Sequence, residues 1–373
     1  MEKRPVTRRH FLATAVGVAA GLTTAPTAAA AKIGGNLSYL GFEGDDAPDA
    51  AKPFYEKHGV TLGATYLGST EEVLTKLKAG GRGRYDVGAN NTRMIQPMID
   101  QDFLVPLDLE QIPNIKEIYT DFTDPKIVPW AYRDGKLYAI GAYFGFDVIN
   151  YNADKIPTPP KSWNELLDPR YKGRIGILDS AVGHMLSIGT TIYNYPPDGT
   201  KYTKEMLKNV VDWGKKLKAN AKTFVKSYGD MTDLLIRGDI WIGFIGWEYN
   251  SVQGQKAGVN IKHFLADGPV KAWCDAFVVY KGSTNPDTAH AWINHMIGAE
   301  VAAKAAQHTS SLVSNSKGRQ YLPKNFADAM GFANLEAQIK RIQWSISPLP
   351  QVDNPNNATI DDFKRGWEEI KNA

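Results

Sequence analysis

Cysteine is nearly absent: Cys274 is the only one in 373 residues. The chain therefore holds no internal disulfide, no C-x-x-C pair and no C-x-x-C-H haem attachment, and its stability must come from core packing. Other signatures are missing too. No G-x-G-x-x-G follows a strand pattern; the glycines of "GGRGRY" (Gly80–Tyr85) precede one. Neither H-E-x-x-H nor G-x-S-x-G occurs. The seven histidines are scattered, and His290 and His295 stand five apart, off a common helical face. These absences remove the local motifs of redox and hydrolytic enzymes and leave a hydrolase only through residues distant in sequence. Beyond residue 30 no run of 18 apolar residues occurs, so stable membrane insertion is not expected.

An excess of one charge is also lacking once the N-terminus is set aside. Of 43 basic and 40 acidic residues, four and one fall within residues 1–30, which leaves the remainder balanced. A phosphate-tracking surface is not expected, and with it nucleic-acid binding. The N-terminal residues read as an export signal. Basic "MEKRPVTRRH" precedes an apolar run from Phe11 to Leu22, too short to span a bilayer, and "TAAAA" offers small residues to a signal peptidase. Adjacent Arg8 and Arg9 before Phe11 and Leu12 resemble a twin-arginine signal. Residues 1–30 are expected to be removed on export to the periplasm.

What is present suits a two-domain globular protein: 43% hydrophobic and 22% charged residues. "NLSYLGF" (Asn36–Phe42), "VTLGATYLG" (Val60–Gly68) and "YDVGAN" (Tyr85–Asn90) read as strands separated by helices. Ser69 and Glu72 stand at capping-box spacing before the second helix, and Gly80 ends it. This order predicts an α/β fold with parallel strands joined by right-handed crossovers. "DGKLYAIGAYFGFDVINYN" (Asp134–Asn152) is a long extended run, suited to leaving one sheet and entering another. "IWIGFIGW" (Ile240–Trp247) and "KAWCDAFVVY" (Lys271–Tyr280) read as further strands. In the latter, alternation puts Trp273 and Asp275 on one face and Cys274 on the other.

The segments "TEEVLTKLKAG…YDVG", "DGKLYAI", "SWNELLDPRYKGRIGI" and "AWCDAFVVYKGSTNPDTAHAWINHMI" resemble the spermidine/putrescine-binding branch of the periplasmic substrate-binding proteins of ABC transporters. The resemblance runs over essentially the whole mature chain. It implies a bilobal periplasmic-binding-protein fold of type II: two mixed-sheet α/β lobes joined by crossover strands, with the ligand in the cleft. Carried onto this chain, lobe 1 is 36–143 plus 275–310 and lobe 2 is 146–273 plus 311–373. The crossings fall at "AYFGF" and "AWCDAF".

The same resemblance implies a ligand site. Trp273 and Asp275 match a tryptophan and aspartate that grip an ammonium group; an indole face attracts a cation, and a carboxylate neutralises it. Trp247 matches an aromatic facing the cleft from the other lobe, so that two aromatics would sandwich an alkyl chain. Phe42 and Asp45 fall near a family tryptophan and tyrosine. Asn91 and Arg93 fall where the family has a serine and an aromatic, at the carboxyl end of a strand, where ligands dock in open α/β sheets. The family's acids for the far amine fall near Ser180 and Gly183, so both carboxylates are missing, although Asp179 is adjacent. A guanidinium at Arg93 would repel a dication and pair with an acid. The ligand is therefore expected to carry one amine and one acidic or neutral end.

These readings predict a non-catalytic monomer that needs no cofactor or metal and delivers a small amine-bearing solute, a polyamine or related cation or zwitterion, to an ABC permease. Two alternatives stay open: an exported enzyme, and an anion- or metal-binding member of the same fold. Ferric-ion relatives rely on adjacent tyrosines, and no Tyr-Tyr pair occurs here.

Overall fold

The computed structural model of the chain describes residues 32–345, 349–353 and 355–373. The export signal expected in residues 1–30 lies outside them. The strands are β1 (Gly35–Gly41), β2 (Val60–Tyr66), β3 (Val87–Asn91), β4 (Tyr132–Arg133), β5 (Lys136–Leu137), β6 (Ala139–Phe146), β7 (Val148–Asn152) and β8 (Ile175–Leu178). They continue with β9 (Ala221–Val225), β10 (Ile242–Gly246), β11 (Ile261–Phe264), β12 (Val270–Val279), β13 (Leu312–Val313) and β14 (Ile342–Gln343).

They form two main sheets. The first runs β13-β6-β12-β3-β1-β2, with β14 on the start of β12; the second runs β11-β7-β10-β8-β9. In the first, β1 lies parallel to β2 and β3, as the strand–helix–strand pattern requires, while β12 is antiparallel to β3 and β6. In the second, β8, β9 and β10 are parallel and β7 is antiparallel to β10 and β11. The second helix starts at Glu72, not at Ser69, because the Glu72 carboxylate accepts from the Gly68 N–H (2.6 Å) instead of closing a capping box.

Each sheet has its own hydrophobic core. The first core draws on Tyr39, Phe122, Phe277 and Trp292, the second on Trp163, Tyr202, Phe244 and Trp367. The chain passes from the first sheet to the second at one residue, Asp147, between the end of β6 and the start of β7. It returns between Phe264 and Val270, so this crossing precedes "AWCDAF", and β12 runs wholly beside β6 and β3.

The boundary expected at residue 311 is also corrected. β13 pairs with β6 in the first sheet, and Leu322, Met330, Phe332 and Trp344 join the first core. The physical reason is burial: this segment covers the first sheet's apolar surface. Only the last stretch belongs to the second lobe. There the helix Ile360–Lys371, opened by a Thr359–Asp362 capping box, buries Phe363, Trp367 and Ile370 in the second core. Burial of each such side chain is worth about 1.5–3 kcal/mol. This helix also accounts for Asp179: its carboxylate accepts from Trp367 Nε1 (2.6 Å) and faces Lys371, so it is engaged by the helix.

Candidate ligand-binding cleft

β12 supplies the spine of the site. Its odd residues Lys271, Trp273 and Asp275 share one face by strand alternation. Trp273 pairs across the ladder with Gly145 on β6, and the indole lies over that glycine: a Cβ built there would come within 2.7 Å of Trp273 Nε1. Asp275 sits opposite Tyr143 on one side and Asn91 on the other.

Trp247 follows β10 and opens the helix Glu248–Lys256. Its main chain is held by Asn150, whose Nδ2 donates to the Trp247 carbonyl (3.1 Å), and by Asn250, whose Oδ1 accepts from the Trp247 N–H (3.3 Å). Gly246 makes this approach possible, since a Cβ there would lie 1.7 Å from Asn150 Oδ1. The Trp247 ring stacks on Tyr228 (5.1 Å, 4°) and meets Trp273 at 5.2 Å and 37°. The three rings form a continuous wall from the second lobe to β12. A methylene chain between two rings needs about 3.5–4 Å on each side. Trp247 and Trp273 stand too close for the expected sandwich, so they offer a surface along which a chain can lie.

Beside Asn91 lies a buried pair of carboxylates, Asp275 and Asp45. Asp275 is 8% exposed and Asp45 is 7% exposed. Asp275 Oδ1 accepts from Asn91 Nδ2 (3.3 Å), whereas Asp45 Oδ2 has no partner. Burial pushes the Asp275 carboxyl up to about 7. Asp45 is raised well above the carboxylate range by burial, and the charges of Asp275 and Asp46 add to this. The Tyr39 and Tyr143 hydroxyls are held neutral by burial and by Asp45. Among the described residues no lysine or arginine forms an ion pair with Asp45, Asp46 or Asp275. A cation would relieve this repulsion, because a positive charge close to a carboxylate favours its ionised form.

In front of the wall, both lobes line a cleft of about 750 Å³ that includes Asn91, Arg93, Ser180, Gly183, Lys271 and Trp273. Arg93 is one of its walls, but its guanidinium already pairs with Glu71 (3.3 Å). A smaller chamber of about 180 Å³ adjoins it, sharing Ser180, Gly183, Lys271 and Trp273 and adding Asp147, His184, Tyr228 and Trp247. Asp45, Asp275 and Phe42 line neither space; the half-buried Phe42 ring packs on the first core, and its carbonyl accepts from the Tyr39 hydroxyl (3.3 Å). Thus six of the eight expected residues gather in two groups, Asp45 and Asp275 with Asn91, and Trp247, Trp273 and Ser180. Arg93 stands at the wall and Phe42 apart.

Several groups escaped the sequence reading. Lys271 forms a nearly buried ion pair with Asp147 (2.6 Å), and Ser187 Oγ also bonds to Asp147. Alternation along "KAWCD" was the available signal for Lys271. Glu248 is buried, and its Oε1 accepts from the Phe146 N–H (3.1 Å) beside the crossing residue; burial lifts it to about 8. Its position one residue after Trp247 pointed away from the wall but did not reveal this partner. Among the described residues no cluster of three His, Cys, Asp or Glu side chains is placed to hold a metal.

Two α/β lobes, linked by crossing segments and lined in their cleft by aromatic and charged groups, define a bilobal ligand-binding protein of the periplasmic type. The family model of the bacterial extracellular solute-binding proteins matches residues 49–334, and the chain belongs to that family. It is similar to the spermidine/putrescine-binding periplasmic protein 1 of Haemophilus influenzae, 26% identical over 97% of this chain and 98% of the relative. It is also similar to a putrescine/cadaverine-binding protein of Pseudomonas aeruginosa, 24% identical over 87% of this chain and 90% of the relative. A solved spermidine/putrescine ABC transporter substrate-binding protein from Streptococcus pneumoniae shares the fold, with a TM-score of 0.73 and 24% identity over 90% of this chain and 97% of that one.

Proposed function

We propose that this protein captures a small amine-bearing solute in the periplasm and presents it to the permease of an ABC importer, without catalysis of its own. The observation that carries the ligand class is the buried pair Asp45 and Asp275. These two buried carboxylates resist ionisation, Asp275 through burial and Asp45 through burial and the neighbouring charges of Asp275 and Asp46. An ammonium group answers both, with the Trp273 indole beside it for cation–π contact. The names of the relatives, which bind spermidine, putrescine or cadaverine, point the same way. The lobes must part for a ligand to reach these buried acids, which line neither cavity, and the short crossing at Asp147 is a suitable hinge.

The anion-binding alternative would need a free cation at Asp275, where carboxylates stand instead. The chain is proposed to act as a monomer after removal of its export signal. A thermal-shift screen of alkylamines, diamines and spermidine against neutral sugars tests the reading, because a ligand raises the melting temperature of the fold it binds. Stabilisation by at least one amine is expected; stabilisation by sugars alone would refute the amine site.

A further inference from the structure

The cleft has a second charged end. Lys271 projects from the same face of β12 as Trp273 and Asp275, about 13 Å along the strand from Asp275. It lines the chamber of about 180 Å³ together with Ser180, Gly183, His184 and Trp247. The polar groups there are mostly hydrogen-bond donors. The Lys271 ammonium has three N–H bonds, of which Asp147 takes one. The helix Ala181–Tyr193 begins at the chamber, and its N-cap residue Ser180 caps none of its first amides by side chain. His184, 3% exposed, has its Nδ1 without a partner. The chamber's carboxylate, Asp147, is already engaged by Lys271 and Ser187.

We propose that this chamber receives an anionic end of the ligand, so that the solute is a zwitterion of the ω-amino acid type. Its ammonium lies at Asp45 and Asp275 and its carboxylate at Lys271 and the N-terminus of the helix Ala181–Tyr193. The proposal rests on the amine-binding reading above and deepens it. A carboxylate accepts up to about four hydrogen bonds and suits a donor-lined chamber, and a helix N-terminus favours negative charge. A second ammonium would instead meet Lys271 and a set of donors it cannot satisfy. Ser180 makes no side-chain cap bond, which keeps the helix N-terminus open to an acceptor from the ligand.

The test is calorimetry on the purified protein with 4-aminobutanoate, 5-aminopentanoate and 6-aminohexanoate, against 1,4-diaminobutane, 1,5-diaminopentane and butylamine. At least one amino acid is expected to bind at least tenfold tighter than the diamine of matching length. Ser180→Asp places an acid at a helix N-cap, where aspartate is well tolerated. It is expected to weaken the amino acid at least tenfold and to strengthen the diamine. Lys271→Gln should also weaken the amino acid, but it strips Asp147 of its counter-ion and can cost folding, so Ser180→Asp decides. A diamine that binds as tightly as the amino acids, with Ser180→Asp changing neither, overturns the anionic end and leaves the amine site standing. Binding of none of these amines overturns both.

Discussion

Asp275 is a group that should cost the empty protein stability and repay it only when a cation arrives. Burial lifts its carboxyl from the ordinary 3.8 to about 7. A difference of that size corresponds to on the order of 4 kcal/mol between the two protonation states. The sign follows from proton counting. Between about pH 4 and pH 7 the folded protein holds this proton more tightly than the unfolded chain does. Stability from this group is therefore lost as pH rises through that window.

Asp275→Asn keeps the shape and the contact with Asn91 but removes the titration. Without ligand, the variant should melt near the wild type at pH 4.5 and several degrees above it at pH 8. With an amine ligand the order reverses. The variant retains Asp45, so the loss of affinity should fall at the lower part of the range for truncating a buried charge pair. That is about 2–3 kcal/mol, or roughly 30- to 150-fold. Differential scanning fluorimetry across pH 4.5–8.5 and calorimetry at pH 8 read both effects. Parallel melting profiles for wild type and variant, or equal amine affinities, would refute the reasoning.

Four further outcomes follow from the same groups. Amine affinity of the wild type should rise as pH climbs from about 5 to about 7, because the ammonium displaces the proton held by the raised acids; calorimetry in buffers of different ionisation heat should detect proton release, and a flat profile counts against the acid pair. Trp273→Ala should weaken an amine ligand by about 1–3 kcal/mol through lost cation–π and apolar contact, read by titration. Glu248→Ala should destabilise by about 1–3 kcal/mol, because the Phe146 N–H loses its acceptor, whereas Glu248→Gln should be near neutral at about pH 4 and increasingly stabilising as pH rises towards 8, checked by denaturant melts. Replacing Arg8 and Arg9 with lysines should block export, and unchanged periplasmic yield would sink the twin-arginine reading.

The strand order around β1–β3 was legible because each strand and its crossover helix follow one another and carry their own punctuation. Trp273 and Asp275 were legible because strand alternation is local. Asp45 was expected through the family resemblance alone, and its pairing with Asp275 was not legible, since contact between residues 45 and 275 is set by how β12 inserts beside β3. The same holds for the wall: nothing near Tyr228 signals that its ring will stack on Trp247. The boundary at 311 failed for a related reason. Short β13 carries two residues, Leu312 and Val313, and their choice of sheet depends on an open edge of β6 that no local pattern announces. Arg93 illustrates a different limit, because its charge was visible but its neutralisation by Glu71, 22 residues away, was not.

The placement of charge relative to the hinge decides how such a cleft can work. Asp147 is the single residue between β6 and β7, and Lys271, its ion-pair partner, stands at the start of β12 just after the returning segment 265–269. A rotation about these segments moves them little, so their charges face the cleft whether it is open or closed. Asp45, Asn91 and Asp275 belong to the first lobe and likewise keep their mutual geometry. Trp247, Tyr228 and the helix Ala181–Tyr193 belong to the second lobe. On the proposed reading, recognition divides in two steps: the first lobe selects the cation from solution, and closure adds the aromatic wall and the helix N-terminus. Glu248 couples the steps, because its carboxyl, carried by a second-lobe helix, holds the Phe146 N–H at the end of β6. A ligand that lacks groups for the second lobe can engage the acid pair yet gains nothing from closure, and the equilibrium between open and closed forms shifts only by differential affinity. On the proposed reading, discrimination among amines therefore resides in the second lobe, even though the first would hold the amine.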